Sequence, residues 1–307
     1  MIYFKDTLDF KTEEDTVLTI GKFDGLHMGH KKLLEEVAKK KKEGLKSAIF
    51  TFDSSPQNAI YHTNSSVLTT NEEKRLVFGN VGIDYFVECP FTDEIRCLEA
   101  EEFIYMMTDR LKVKCFVVGT DCSFGHNRSG NCDVLRSFAD EYGYEVVVVE
   151  KKQYEGRDIS STFVREEIEA GNIEKANMLL GYPYFFMGRV ESGNHIGRTI
   201  GFPTINQLPA PEKLIPPYGV YASHIVIDEK VYEGVTNIGV KPTIAGENVC
   251  GIETNIFDFS GDLYDKTVRV RLFSFIRPEK KFGGVDELKE QIAKDKAEAL
   301  RVLKAYR

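Results

Sequence analysis

Two histidines stand three residues apart in the run Gly21-Lys22-Phe23-Asp24-Gly25-Leu26-His27-Met28-Gly29-His30. At the mouth of a helix this spacing puts both rings on one face. Gly21 and Gly25 let the preceding backbone turn tightly. Two imidazoles beside the free N–H groups of a helix start form a cradle for a polyphosphate. An isolated H-x-x-H would also suit a metal, but the flanking glycines, Gly29 and the apolar run just upstream favour phosphate. A second cluster, Ile159-Ser160-Ser161-Thr162 followed by Arg165, opens another helical stretch. Alone it reads as a helix cap; with the histidine motif it reads as hydroxyls, amides and a guanidinium for the outer phosphates. The third cluster is Gly197-Arg198-Thr199-Ile200-Gly201-Phe202-Pro203-Thr204-Ile205-Asn206. Its glycines permit close approach of backbone to phosphate. Thr204 and Asn206 share one side of an extended chain, and their oxygens are hard ligands.

These residues need elements to hold them, and the chain supplies two different periodicities. In the first half, apolar runs at 17 to 21, 47 to 52, 84 to 88, 114 to 119 and 145 to 149 alternate with helical patterns, several closed by glycine. Continuous apolar runs suit strands buried on both faces. Strict alternation with helices implies a doubly wound parallel sheet, which binds ligands at the carboxyl ends of its strands. The Gly21 to His30 loop follows the first of these runs. After about Pro183 the pattern changes to short β stretches between glycine and proline clusters, expected to form an antiparallel β-barrel or sandwich. A last helix from about Val285 to Tyr306 places Val285, Leu288, Ile292, Ala299, Val302, Leu303 and Tyr306 on one face against the barrel. The expected domains are therefore residues 1–183 and 184–307.

With 307 residues, two cores are expected. A formal net charge of -8 argues against a nucleic-acid surface but leaves room for a small anionic substrate in a local pocket. The start, MIYFKDTLDFKTEED, has the apolar core of neither a signal peptide nor a membrane span, so a cytoplasmic location without membrane partners is expected. The six cysteines form no C-x-x-C pair and read as reduced thiols, without structural zinc.

The order of F-D-G-L-H-M-G-H, L-T-T at 68 to 70, V-V-G-T-D-C-S-F-G at 117 to 125, R-S-G-N at 128 to 131 and I-S-S-T resembles the FMN adenylyltransferase domain of bacterial-type bifunctional FAD synthetases. That domain is a Rossmann-like nucleotidyltransferase of the H-x-G-H type. The segment 197 to 206 resembles the riboflavin kinase signature. Pro217-Tyr218-Gly219-Val220-Tyr221, Thr236-Asn237-Ile238-Gly239, Lys241-Pro242-Thr243, Glu253 to Phe259 and Asp262-Leu263-Tyr264 continue that series.

The resemblance implies two ATP-dependent steps with Mg²⁺: riboflavin to FMN, then FMN to FAD with release of pyrophosphate. It implies that His27 and His30 stabilise the reacting phosphates and that Gly21, Phe23, Asp24, Gly25 and Gly29 belong to the phosphate loop. Asp121 would shape the nucleotide or flavin pocket, and Ser161, Thr162 and Arg165 would act on the triphosphate. In the kinase half, Gly197, Arg198, Gly201, Pro203, Thr204 and Asn206 would bind ATP, with Thr204 and Asn206 on Mg²⁺. Glu253 would be the general base, and Arg277 and Phe282 would lie near the flavin. The chain departs from the pattern at Ser54-Ser55-Pro56, where a Pro-His-Pro is usual, and at Cys122 and Ser123, where an aromatic and an arginine are usual. Asn194, Asn255 and Asp265 also depart. Two rival readings follow: a kinase whose N-terminal domain is weak or altered in substrate, and a flavin- or nucleotide-binding regulator without turnover.

Overall fold

The computed structural model describes residues 1–53, 66–192, 202–242 and 248–306. It divides into two compact units, Met1–Ser161 and Thr162–Arg307.

The first unit is built on strands β1 (Ile2–Lys5), β2 (Thr16–Ile20), β3 (Lys46–Phe52), β4 (Tyr85–Cys89), β5 (Val113–Gly119) and β6 (Glu145–Val149). All pair in parallel, in the order β1-β4-β3-β2-β5-β6. The apolar runs in the sequence match β2 to β6 within a residue. Strand β1 escapes that reading because it is short, carries an acidic flank and sits at the edge, half-exposed. Its pairing with β4 is a tertiary event that no local pattern announces. Helices α1 (Met28–Lys42), α2 (Asn71–Val81), α3 (Asp93–Arg96), α4 (Ala100–Arg110), α5 (Cys132–Ser137) and α6 (Ala139–Tyr142) connect the strands. The helical stretch over 132 to 142 is broken at Phe138 into α5 and α6.

Strand order reverses between β2 and β5. From β2 the chain moves through β3 to β4 on one side, and β5 and β6 lie on the other. A crevice opens at such a switch point, outside the carboxyl ends of the strands. The loop after β2 ends at His27 and leads into α1, which carries His30, and the loop after β5 carries Asp121. A small hairpin, β7 (Gln153–Tyr154) and β8 (Arg157–Asp158), leads into α7 (Ser161–Glu169).

The second unit contains α8 (Ile173–Leu180) and strands β9 (Phe185–Arg189), β10 (Thr204–Gln207), β11 (Gly219–Ile227), β12 (Lys230–Pro242), β13 (Asn248–Ile256) and β14 (Thr267–Pro278). They form one antiparallel sheet in the order β10-β13-β12-β11-β14-β9. Its two end strands meet where the Glu191 N–H donates to the Asn206 carbonyl at 2.8 Å, so the sheet curls into a barrel. Tyr221, Ile225, Ile238, Ile252, Val268, Val270 and Leu272 are buried within this unit.

The last helix, α9 (Val285–Leu303), continues as a short 3₁₀ turn to Tyr306. Ala299 and Leu303 pack on Val220, Ala222, Val235, Phe257 and Phe273 of the sheet's outer face. The expected apolar face holds between its ends: Ala299 and Leu303 are buried and Leu288, Ile292 and Val302 half-buried, while Val285 and Tyr306 are exposed. A charge pair ties the middle of the helix to β14. Asp295, buried on α9, accepts two bonds from Arg277 Nε and one from Nη2 at 2.7 to 3.1 Å.

Candidate functional site

The N-terminal site is a strained turn closed by a helix cap. Phe23 and Leu26 adopt φ of 48° and 38°, and Gly25 adopts 81°. Left-handed backbone at two large apolar residues costs on the order of 1 kcal/mol each or more. Both side chains are fully buried, which offsets that cost. Asp24 holds the turn from inside: its Oδ1 accepts the Leu68 and Thr69 N–H groups at 2.7 and 3.2 Å. The Gly25 N–H donates to Thr69 Oγ1 at 3.1 Å. Asp24 therefore positions the loop against the 68 to 70 segment.

His27 is the N-cap of α1, and its Nδ1 accepts the His30 N–H at 3.4 Å. The two imidazoles stack, with centroids 3.7 Å apart and planes at 19°. On its other side His30 leans on Phe23, which meets Phe78 of α2 edge-on. His30 Nδ1 is buried with no hydrogen-bond partner among the described residues. Burial lowers the His27 pKa to about 4, against an opposing pull from Asp121. Burial, with repulsion from His27 and Lys74, holds His30 well below its usual value. Both rings are neutral near pH 7 and present N–H donors without charge.

Gly29 is required by close approach. A Cβ there would lie 3.0 Å from His27 Nδ1 and 3.0 Å from the Ile159 carbonyl. Gly29→Ala is expected to tilt the His27 ring and lower nucleotidyl transfer roughly tenfold, since small misplacements near reacting atoms are costly. Pyrophosphate release by the purified variant measures this; an unchanged rate would show that the ring tolerates the push.

The histidines also predict a pH-dependent stability. Between pH 6.5 and about 4 an unfolded His27 binds a proton that the folded ring refuses. Unfolding free energy therefore falls as pH drops through that window and is flat above it. The loss from His27 is roughly 3 kcal/mol. Urea unfolding at several pH values, compared with His27→Gln, should show the slope in the native chain and a shallower one in the variant.

Ser161 begins α7 and donates its hydroxyl to the Asp24 carbonyl at 2.8 Å, tying that helix start to the histidine loop. Thr162 and Arg165 follow on α7. Asp121 lies past β5 at the surface, paired with Lys151 at 3.0 Å. Cys122 and Cys132 pack on the core nearby, where burial raises the Cys122 thiol pKa to about 12. Ser123 accepts from Arg128 Nε at 3.3 Å.

The C-terminal constellation follows from strand register. Asn206 pairs with Glu253, and Glu253 with Asn237, across β10, β13 and β12. Thr204 pairs with Asn255 on the same side. Directly opposed residues project to one face, so Thr204, Asn206, Asn237, Glu253 and Asn255 share it. Thr204 Oγ1 donates to Glu253 Oε1 at 2.7 Å. Asn255 Nδ2 donates to the Pro203 carbonyl at 2.7 Å, pinning the Pro203-Thr204 turn. The oxygen-rich set of Thr204, Asn206 and Glu253 fits a hard cation that brings further ligands from phosphate.

Arg277 is committed to Asp295, and its guanidinium stands 5.8 Å from the Phe282 ring centroid. Its contacts are those of an anchor between β14 and α9 that also lines the Phe282 side. Ser54, Ser55, Pro56, Asn194, Gly197, Arg198 and Gly201 lie outside the described residues. Sequence reasoning assigned no role to Thr69, Asn237 or Lys74. The first two sit in motifs already noted. Lys74 had a signal that went unread: it occupies an apolar-face position of α2, one turn before buried Phe78.

Comparison with known proteins follows this geometry. An FAD synthetase family model matches residues 9–163, and a riboflavin kinase model matches residues 180–303. A bifunctional riboflavin kinase/FMN adenylyltransferase of Escherichia coli (strain K12) is 37% identical over 292 residues, covering 94% of this chain and 92% of the relative. The Bacillus subtilis (strain 168) protein of the same description is 35% identical over 295 residues, covering 93% and 92%. A crystal structure from Streptococcus pneumoniae, described as a macrolide-efflux protein, superposes with a TM-score of 0.84 at 32% identity, covering 96% of this chain and 97% of that one. Among the described residues of the present chain no helix is long and apolar enough to cross a membrane. Two matched domains in order, and relatives aligned over nearly the whole length, place the chain in the bifunctional riboflavin kinase/FMN adenylyltransferase family.

Proposed function

We propose that the chain converts riboflavin and ATP to FMN and ADP at the barrel, then FMN and ATP to FAD and pyrophosphate at the parallel sheet. The observation that carries this reading is that one chain holds both constellations: stacked neutral imidazoles at a helix start, and Glu253 hydrogen-bonded to Thr204 beside Asn206. For the functional boundary we keep residues 1–183 and 184–307, because Ser161, Thr162 and Arg165 serve the adenylyl step by motif.

In the kinase step Glu253 accepts the proton of the riboflavin 5′-hydroxyl as its oxygen takes the γ-phosphoryl group and ADP leaves. Thr204 orients that carboxylate through its hydroxyl. Mg²⁺, when bound with ATP at Thr204 and Asn206, neutralises phosphate charge. Phe282 offers an aromatic face on the flavin side.

In the adenylyl step an oxygen of the FMN phosphate attacks the α-phosphorus of ATP in line, forming the new P–O bond as the bond to pyrophosphate breaks. The imidazole N–H groups of His27 and His30 stabilise charge moving onto the leaving oxygens. Ser161, Thr162 and Arg165 hold the outer phosphates, and Asp121 borders the pocket. Fixed donors suffice, with no covalent enzyme intermediate.

We place the protein in the cytoplasm, with small-molecule partners and no nucleic acid. Chromatography of flavin products from riboflavin, ATP and Mg²⁺ tests the whole reading. FMN followed by FAD is expected. FMN without FAD would favour the altered N-terminal domain, and no turnover would favour a binding regulator.

A further inference from the structure

The first unit buries a lysine that no step above uses. Lys74 is 6% exposed, on the same face of α2 as Phe78. The Phe78 ring lies against Phe86 of β4 on one side and Phe23, the neighbour of His30, on the other. Helix α2 starts at the carboxyl edge of the sheet, so Lys74 lies one turn nearer that edge than Phe78. It therefore stands above Glu88, two residues beyond Phe86 on β4.

A buried ammonium has three donors to satisfy. Among the described residues Lys74 makes one long bond, Nζ to Asn71 Oδ1 at 3.4 Å. Glu88, Asp24 and Asp53 attract it and Lys22 repels it, yet burial dominates and lowers its pKa. None of these carboxylates is its hydrogen-bond partner: Asp24 is spent on Leu68 and Thr69, and Asp53 accepts the Phe91 N–H. Among the described residues Glu88, fully buried, accepts from Tyr3 OH through Oε2, while its Oε1 has no partner. Thr19 Oγ1 and His30 Nδ1, at the same end of the sheet, are also buried and without a partner among those residues. Buried polar atoms are ordinarily hydrogen-bonded, so a buried ammonium with donors to spare, close enough to His30 to interact with it electrostatically, marks a place that a ligand can complete. An ammonium selects an anion.

The topology says which anion. Nucleotides bind at the switch between β2 and β5, and the two imidazoles sit over β2. Lys74 interacts electrostatically with Glu88 of β4 and with His30, so it stands on the β4 side of the imidazoles, away from β5. In-line attack needs an acceptor held beside the α-phosphorus. We propose that Lys74 binds the phosphate of the acceptor, the 5′-phosphate of a flavin mononucleotide, and so admits a phosphorylated flavin in preference to its alcohol. This rests on the adenylyl-transfer reading. It also supplies a cation to a cradle whose imidazoles are neutral and in which Ser123 replaces an arginine.

The test uses the full chain with FMN and ATP varied independently. For Lys74→Met, KM for FMN is expected to rise roughly ten- to a hundredfold, the range of a lost charge-assisted bond, while KM for ATP changes by less than about twofold. Lys74→Arg should recover much of the loss. An unchanged KM for FMN, or a rise confined to ATP, overturns the proposal. A measurement on the native protein guards against a variant that does not fold: with ¹³Cε-lysine labelling, the Lys74 signal, assigned by its absence in Lys74→Arg, should shift on adding FMN and not riboflavin. No shift with FMN, or equal shifts with both, also overturns it. Native protein that makes no FAD would instead sink the adenylyl-transfer reading, and the two failures are distinguishable.

Discussion

Glu253→Gln is expected to lose FMN formation by roughly a thousandfold, within the range for a general base, while still adenylylating FMN supplied from outside. Glutamine preserves an oxygen to accept the Thr204 hydroxyl, which now bonds Glu253 Oε1 at 2.7 Å. What disappears is the basicity needed to take the riboflavin proton. Glu253→Ala should be as inactive, and should also loosen Thr204, because the residue lies opposite Asn206 and Asn237 in the register. Assaying riboflavin phosphorylation and FMN adenylylation on the same preparation separates the two losses. A glutamine variant that phosphorylates normally would reduce Glu253 to a positioning role.

His30→Ala is expected to do the reverse: adenylylation falls roughly a hundred- to a thousandfold, the usual cost of one fixed donor to a developing anion, and riboflavin phosphorylation is unchanged. The substitution removes a ring held between His27 and Phe23. It leaves the helix start intact, since the bond to His27 Nδ1 uses the His30 backbone N–H. His27→Ala should be worse, because it deletes a donor and the α1 cap together. Pyrophosphate release and FAD chromatography read the first activity, and FMN production from riboflavin the second. Loss of both activities in His30→Ala with circular dichroism unchanged would contradict two separate sites.

Much of this was legible in the chain. The buried strands β2 to β6 declare themselves by continuous apolar runs, and α1 to α2 and α4 by periodicity and end signals. The candidate site residues were legible as motifs too, where their spacing is local: His27 and His30 three apart, Thr204 and Asn206 two apart. Other features depend on residues far apart in sequence. Asp24 reads as part of a phosphate motif, but its carboxylate faces inward onto Leu68 and Thr69. Arg277 reads as a flavin-side cation, and its guanidinium is held by Asp295. Val285 reads as part of the apolar face of α9, yet it is exposed.

By itself the sequence determined the two architectures, the order of the motifs and the residue types able to do phosphate chemistry, because periodicity and short spacing are properties of the local chain. Tertiary structure alone decided that Thr204 meets Glu253 across 49 residues, that both histidine rings are neutral, and that Lys74 is buried near them. Strand register and burial arise from contacts between distant segments, and they set which polar groups share a face and which protons they hold.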